Sequence, residues 1–184
     1  MDLAGKFLIA MPGMQDPRFA HSVILMLSHG PGASMGLIIN KPVADVAFSA
    51  LAAQVGIKGN EDLREVPVLF GGPVEAGRGF VLHGSDWTSS AGTMEVTPGL
   101  AVTATLEAID ELAHGRGPGL AMMVLGYAGW GAGQLDAEIA RNDWLTCDAD
   151  AEIALHVDMG RRWSAALSRL KVDPVSLSAA AGRA

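Results

Sequence analysis

The chain has 184 residues, 49% of them hydrophobic and 18% charged, which is enough apolar material for a substantial core without disulfide or metal, and too much for a disordered chain. Its net charge of −7 works against nucleic acid as a direct partner, because phosphate contacts need a concentrated basic surface. The single cysteine, Cys147, excludes an internal disulfide and a cysteine zinc cluster and fits a reducing cytoplasm, and no apolar run approaches the roughly 18 to 20 residues of a membrane helix.

The first residues lack a basic region ahead of their apolar run, which argues against a secretion signal. Phe7 to Met11 reads instead as a strand closed by Pro12-Gly13, and Ser22 to Ser28 as a second, nearly continuous apolar strand. After a loop at Gly30 to Ala33, Gly36 to Asn40 gives a third strand, stopped by Lys41-Pro42. Pro42 then opens a helix to about Gln54, whose residues Val43, Val46, Ala47, Ala50 and Leu51 share a face and whose stop is Gly56.

Pro67 to Phe70 and Gly79 to His83 are short strands joined by a shaped loop, Gly71 to Arg78. Residues 93 to 96 and 100 to 103 are weaker strands, and Thr105 caps a helix carrying Leu106, Ile109 and Leu112 that ends at Gly115. Ala121 to Leu125 leads into a glycine-rich aromatic turn, Gly126 to Gly133, followed by a helix through Ile139, a strand at Trp144 to Thr146, and helical turns at 151 to 156 and 160 to 170. Strands and helices mix without a regular βαβ rhythm, which predicts a single α+β domain over residues 1–184.

A set of local signatures runs through these elements. They are Ala10-Met11-Pro12 with Asp16 and Phe19, Ser22-Val23, His29, Met35 to Pro42, Gly71-Gly72-Pro73-Val74, Leu82-His83, Gly126-Tyr127-Ala128-Gly129-Trp130, Gln134-Leu135, Glu138-Ile139 and Asn142-Asp143-Trp144. Trp163, Ala166-Leu167 and the terminal Gly182-Arg183-Ala184 complete them. Together they resemble the YqgE/AlgH family, the UPF0301 group. The resemblance implies a bacterial-type, stand-alone cytoplasmic domain with a bifurcated, partly barrel-like mixed β-sheet surrounded by helices. Family members are often labelled transcriptional regulators, and no family-wide catalytic residue, cofactor or substrate comes with the resemblance. One departure is local: family chains usually read Gly-Ala-Met-Gly where this one has Ala33-Ser34-Met35-Gly36.

That departure creates a G-x-S-x-G match at Gly32 to Gly36, but a nucleophile elbow joins a strand to a helix, whereas Ser34 falls between two strands. His29 and His83 each close an apolar strand, where a neutral imidazole serves as a base, a ligand or a backbone partner. Asp16 follows a Met-Pro-Gly turn and caps its loop or acts as an acid. Gly71-Gly72 and the glycines at 129 to 133 offer tight turns or anion-binding amides, with Lys41 and Arg78 as the nearby cations. Tyr127 and Trp130 pack in the turn or form a stacking surface, and Asn40-Lys41 stops a strand or faces an anion.

The expected site is therefore a cleft formed by the strand ends carrying His29, Asn40 and His83 together with the two glycine turns. The leading reading is a non-catalytic regulatory module, monomer or homodimer, that binds a small ligand or a protein partner without cofactor or metal. One alternative is a hydrolase or transferase using His29 or His83 with Asp16 or Glu138. The other is direct DNA binding through a basic outer face of the C-terminal helix, formed by Arg161, Arg162, Arg169 and Lys171.

Overall fold

Period-two alternation builds a sheet that is buried on both faces. In β1 (Lys6–Ala10), Phe7 and Ile9 enter one core while Leu8 and Ala10 enter another, all four fully buried. The same alternation runs through β2 (Val23–His29) and β3 (Ala33–Ile38), with Val23, Leu25 and Leu37 on the first side and Ile24, Met26 and Ile38 on the second. The computed structural model describes residues 2–60 and 65–181, so the Gly182-Arg183-Ala184 ending lies outside the described residues.

The remaining strands are β4 (Val68–Phe70), β5 (Val74–His83), β6 (Met94–Thr97), β7 (Leu100–Thr103), β8 (Ala121–Gly131) and β9 (Trp144–Asp148). They pair in the order β6-β7-β5-β8-β3-β2-β1-β9, antiparallel throughout, while β4 pairs parallel with β8. The eleven-residue β8 makes the sheet bifurcate. Residues 121–125 pair with β5 and β4, and residues 128–131 pair with β3. The curled sheet thus encloses one inner core and carries two outer cores, one on each half.

Gly126 sits at the change of partner, with φ +71°. Before it, Met122 and Val124 point into the inner core and Ala121 and Met123 outward; after it, Tyr127 packs against the inner core and Ala128 and Trp130 lie outside. One residue in the left-handed region inverts the alternation, so each half of the strand meets the correct core. The expected turn over Gly126 to Gly133 is therefore mostly strand. Sequence periodicity breaks there because the phase inverts, not because the strand ends.

Six helices among the described residues cover the sheet. α1 (Phe48–Gln54) begins six residues later than the expected start at Pro42, because Pro42 bridges Leu69 and the Val43 N–H donates to the Val68 carbonyl, which holds this segment beside β4. α2 (Leu106–Ala113) begins, as expected, at the Thr105 cap. α3 (Gln134–Ala140) covers the outer face near Trp130, and α4 (Ala151–Leu155) and α5 (Met159–Arg169) fill the inner side. α6 (Pro174–Ala181) has no counterpart among the expected elements. The third strand starts three residues earlier than expected, in a hairpin closed by the Gly30 N–H on the Ala33 carbonyl. The expected loop at Gly71 to Arg78 becomes strand from Val74, interrupted by a four-residue excursion, 75–78, that lies between the Val74–Tyr127 and Gly79–Leu125 pairs. Among the described residues no helix is long and apolar enough to cross a membrane.

Candidate functional site

The nine residues expected to share a cleft fall in four separate places. Gly71, Gly72 and Tyr127 mark a crossing of two chain segments. The Gly71 N–H donates to the Leu125 carbonyl at 2.7 Å, and its own carbonyl accepts from Ile38 N–H at 2.8 Å. A Cβ on Gly71 would stand 2.2 Å from the Gly126 oxygen, and one on Gly72 would stand 2.0 Å from the Tyr127 carbonyl carbon. These glycines let backbones pass, and with the Gly71 amide already bonded the anion-nest reading of this turn loses its donor. Tyr127 is not an open stacking face either. The Arg78 guanidinium lies 5.0 Å from the Phe80 ring centroid and 5.9 Å from that of Tyr127, and pairs with Glu75 at 3.3 Å. The hydroxyl bond of Tyr127 to Glu75 holds the phenol above its ordinary range.

His29 and Trp130 do come together, in a row across three strands. Ser34 on β3 is opposite His29 on β2 and opposite Trp130 on β8. α3 lies over this row. His29 Nε2 faces Asp136 Oδ1 at 3.7 Å, and Glu138 Oε2 accepts from the indole nitrogens of Trp130 and Trp144, each at 2.9 Å. Gln134 Nε2 donates to Glu138 Oε1 at 2.9 Å, and the two indole rings meet edge to face. Ser34 is buried on a strand and receives no hydrogen bond from His29, so the G-x-S-x-G match has neither the elbow nor the base of a nucleophile. The Gly131 amide donates to Gln134 Oε1 at 3.1 Å, which removes one donor from the expected second anion turn. Glu138 is better read as the pin that seats α3. Glu138→Ala should lower stability by about 2 to 3 kcal/mol, because two buried indole N–H groups lose their acceptor, whereas Glu138→Gln should cost about 1 kcal/mol or less. Urea unfolding of the two variants measures the difference, and equal costs would refute the pin.

Asn40, Lys41 and Asp16 gather at the opposite end of the β2–β3 hairpin from His29. Asn40 Oδ1 accepts from Val23 N–H at 2.9 Å and its Nδ2 donates to the His21 carbonyl at 2.8 Å, while Lys41 Nζ donates to the Ala20 carbonyl at 2.9 Å. Asp16 pairs with Arg18 at 2.7 Å, and hydrogen bonding from Arg18 holds its carboxyl below the ordinary range. Asn40 and Lys41 bind the loop between β1 and β2 to the sheet, while Asp16 and Arg18 brace the loop internally.

His83 is the fourth place. It is fully buried at the end of β5, with Nδ1 2.7 Å from the Gly84 carbonyl and Nε2 2.8 Å from Thr103 Oγ1. Burial pushes its pKa down. Neither histidine bonds to Asp16 or Glu138, the carboxylates expected to cooperate with them; the acid facing His29 is Asp136. Among the described residues no group of three His, Cys, Asp or Glu is placed to hold a metal ion.

The sequence reading passed over the cleft that the strand ends do form. It has a volume of about 390 Å³ and lies between α4 and the turns that carry Gly84, Gly99 and Gly119. Among the described residues its ionisable lining is Asp86, Glu152 and His156, with no lysine or arginine, and half-exposed Leu120 supplies an apolar wall. Asp86 Oδ2 accepts from Gly119 N–H at 2.7 Å, and Oδ1 has no hydrogen bond among the described residues. A Cβ on Gly84 would come 3.1 Å from Oδ1, and one on Gly119 3.2 Å from Oδ2, so the carboxylate is seated between two bare backbones. The signal in the sequence was three turn glycines flanking strand ends, which only topology brings together. None of the nine expected residues lines this cleft or either of two others, of about 350 and 340 Å³.

Comparison with known proteins gives a consistent placement. The family model described as AlgH-like matches residues 7–175. A UPF0301 protein of Jannaschia sp. strain CCS1 is 50% identical over 184 residues, covering all of this chain and 96% of the relative. Another from Paracoccus denitrificans is 48% identical over 185 residues, covering all of this chain and 97% of the relative. The solution structure of the AlgH protein from Pseudomonas aeruginosa superposes with a TM-score of 0.79 at 38% identity, over 97% of this chain and 94% of that one. A crystal structure of a Corynebacterium diphtheriae protein, 22% identical, shares the fold with a TM-score of 0.71 over 91% of this chain and 86% of that one.

Proposed function

The chain belongs to the AlgH-like family, and on that premise we propose that it is a cytoplasmic regulatory module that acts by binding, with the Asp86 cleft as its ligand site. One observation carries this reading. Glu138, Asp16 and His83 are tied into internal bonds, whereas in the cleft Asp86 keeps one oxygen without a hydrogen bond among the described residues, beside Glu152 and His156. Two carboxylates on different walls, no lysine or arginine among the described lining residues and an apolar side favour a cation on a short carbon chain. A small amine or the basic side chain of a partner protein both have this chemistry. Control of transcription would then be indirect. The helix expected to touch DNA keeps no continuous basic face, since Arg162 is buried and Arg169 pairs with Asp150.

Titration with 1,4-diaminobutane and with arginine amide at low salt, followed by amide NMR, tests the site. Saturable shifts are expected at 84–86, 119–120 and 151–156. Asp86→Asn should weaken binding about 10-fold or more, the loss of one charge-assisted hydrogen bond. Unchanged affinity in Asp86→Asn, or shifts confined to other surfaces, would reject the assignment. Both probes should be recovered intact, and their turnover would favour an enzyme.

A further inference from the structure

Behind the cleft, the hydrogen bonds around His83 form a chain whose direction is fixed. The Gly84 carbonyl only accepts, so at 2.7 Å the proton of a neutral ring sits on Nδ1. Nε2 is then an acceptor and must take the Thr103 hydroxyl hydrogen at 2.8 Å. With that hydrogen committed, Thr103 Oγ1 accepts from Thr93 Oγ1 at 2.7 Å, and Thr93 Oγ1 in turn accepts from Ser89 N–H at 2.9 Å. With His83 neutral and protonated on Nδ1, each donor meets an acceptor within the protein.

The far end of the chain holds the segment after β5. Ser89 Oγ bonds Thr105 Oγ1 and Glu107, and Ser90 N–H and Oγ both donate to Glu107 Oε2 at 2.9 Å. The Trp87 ring stands edge-on to the imidazole, with centroids 5.6 Å apart. The segment from Gly84 to Thr93 is therefore fastened at His83 and at Glu107, and it carries Ser85 and Asp86, which line the cleft.

We infer that His83 is a proton-sensitive latch for this segment. A second proton on the ring turns Nε2 into a donor. Thr103 must then send its hydrogen to Thr93, and the Thr93 hydrogen loses its acceptor in the chain. A cation also arises at a site with no solvent exposure. The ionisable groups near it are Asp86, whose charge favours the protonated ring, and Glu107, reached only through Ser89 and Thr105; β7 and β8 present none at Thr103, Ala101 or Ala121. Because burial lowers the pKa of His83 below its ordinary value, the unfolded chain binds more protons than the folded chain near and below pH 6.5. The latch is thus fully closed above that pH and releases as pH falls through it toward the lower folded value.

Histidine-ring nitrogen NMR and amide hydrogen exchange on the intact chain, from pH 7.5 to 5, test this without any cleft ligand, so the result is separable from the binding reading. After correction for intrinsic exchange, protection of residues 85–93 should fall about 10-fold or more as the ring protonates, while β1 and β2 stay protected. At pH 7.5 the ring should be the Nδ1–H tautomer. His83→Asn keeps a donor near Nδ1 and cannot titrate, so the pH dependence of 85–93 should vanish. Asp86→Asn should keep its onset and deepen it, because losing that charge lowers only the folded-state value. An Nε2–H ring at pH 7.5, or protection of 85–93 that does not change with pH, would overturn the inference. If His83→Asn fails to fold, these two observations on the unaltered chain still decide.

Discussion

Gly126→Ala should lose about 3 to 5 kcal/mol of stability. Two independent costs add. The residue has φ +71°, where a non-glycine side chain costs about 1 to 3 kcal/mol. The new Cβ would lie 2.4 Å from the Gly72 oxygen and 3.1 Å from the Val74 oxygen, both backbone atoms, so relief requires moving β5 or the 71–72 segment at about 1 to 3 kcal/mol more. Gly72→Ala meets the same crossing from the other side and should behave alike. Gly131→Ala, five residues further along β8, has open space around its Cβ and should change stability by about 0.5 kcal/mol or less. Thermal unfolding should show Gly126→Ala melting about 10 °C or more below the parent, with Gly131→Ala beside it. If the two variants melted together, the phase inversion in β8 would not be what holds the two halves of the sheet in register.

The same glycine shows what the sequence could and could not disclose. Strands with strict alternation, such as Phe7 to Ala10 and Val23 to Met26, were legible because each side chain in turn meets a different core. β8 was legible only to Leu125, since past Gly126 the pattern is intact but inverted, and a reading that assumes one phase takes inversion for an end. Pro42 misled for a related reason. A proline that favours a helix start also suits a strand margin, and its bridge to Leu69 depends on β4, far along the chain. The α+β class and the bifurcated sheet were within reach of the resemblance, and the AlgH-like match agrees.

The candidate site was much less legible. His29, Asn40, His83 and the glycine turns all stand out as strand ends, but a strand has two ends and the sequence does not say which ends share a side of the sheet. His29 and Asn40 stand at opposite ends of one hairpin. The cleft residues Asp86, Glu152 and His156 lie in ordinary turns and on a short helix, with nothing in their spacing to link positions so far apart.

Arg162 gives the other large expected effect. Read by helical spacing it belongs to an exposed basic face; in the fold it is 3% exposed, and Arg161 beside it faces solvent. Its Nε donates to the Val157 carbonyl at 2.9 Å, one terminal nitrogen donates to the Ile39 carbonyl, and both terminal nitrogens touch Met122 Sδ at 3.4 and 3.5 Å. One guanidinium therefore ties α5 to the turn before it, to the residue after β3 and to β8. Among the described residues no carboxylate hydrogen-bonds it, and burial brings its pKa down to about 10, so it is still charged at neutral pH. Arg162→Ala should cost about 3 to 5 kcal/mol, since it opens a cavity and leaves two carbonyls without donors. Arg162→Lys should cost nearly as much, because one ammonium cannot span Val157, Ile39 and Met122. Arg162→Met should cost less than either, as it restores most of the volume and loses only the hydrogen bonds. Urea unfolding of the three variants gives the order, and because the group is shielded from ions the order should persist at high salt. A solvated arginine would lose about 0.5 kcal/mol or less in every variant, and that result would return Arg162 to the basic face and reopen direct DNA binding.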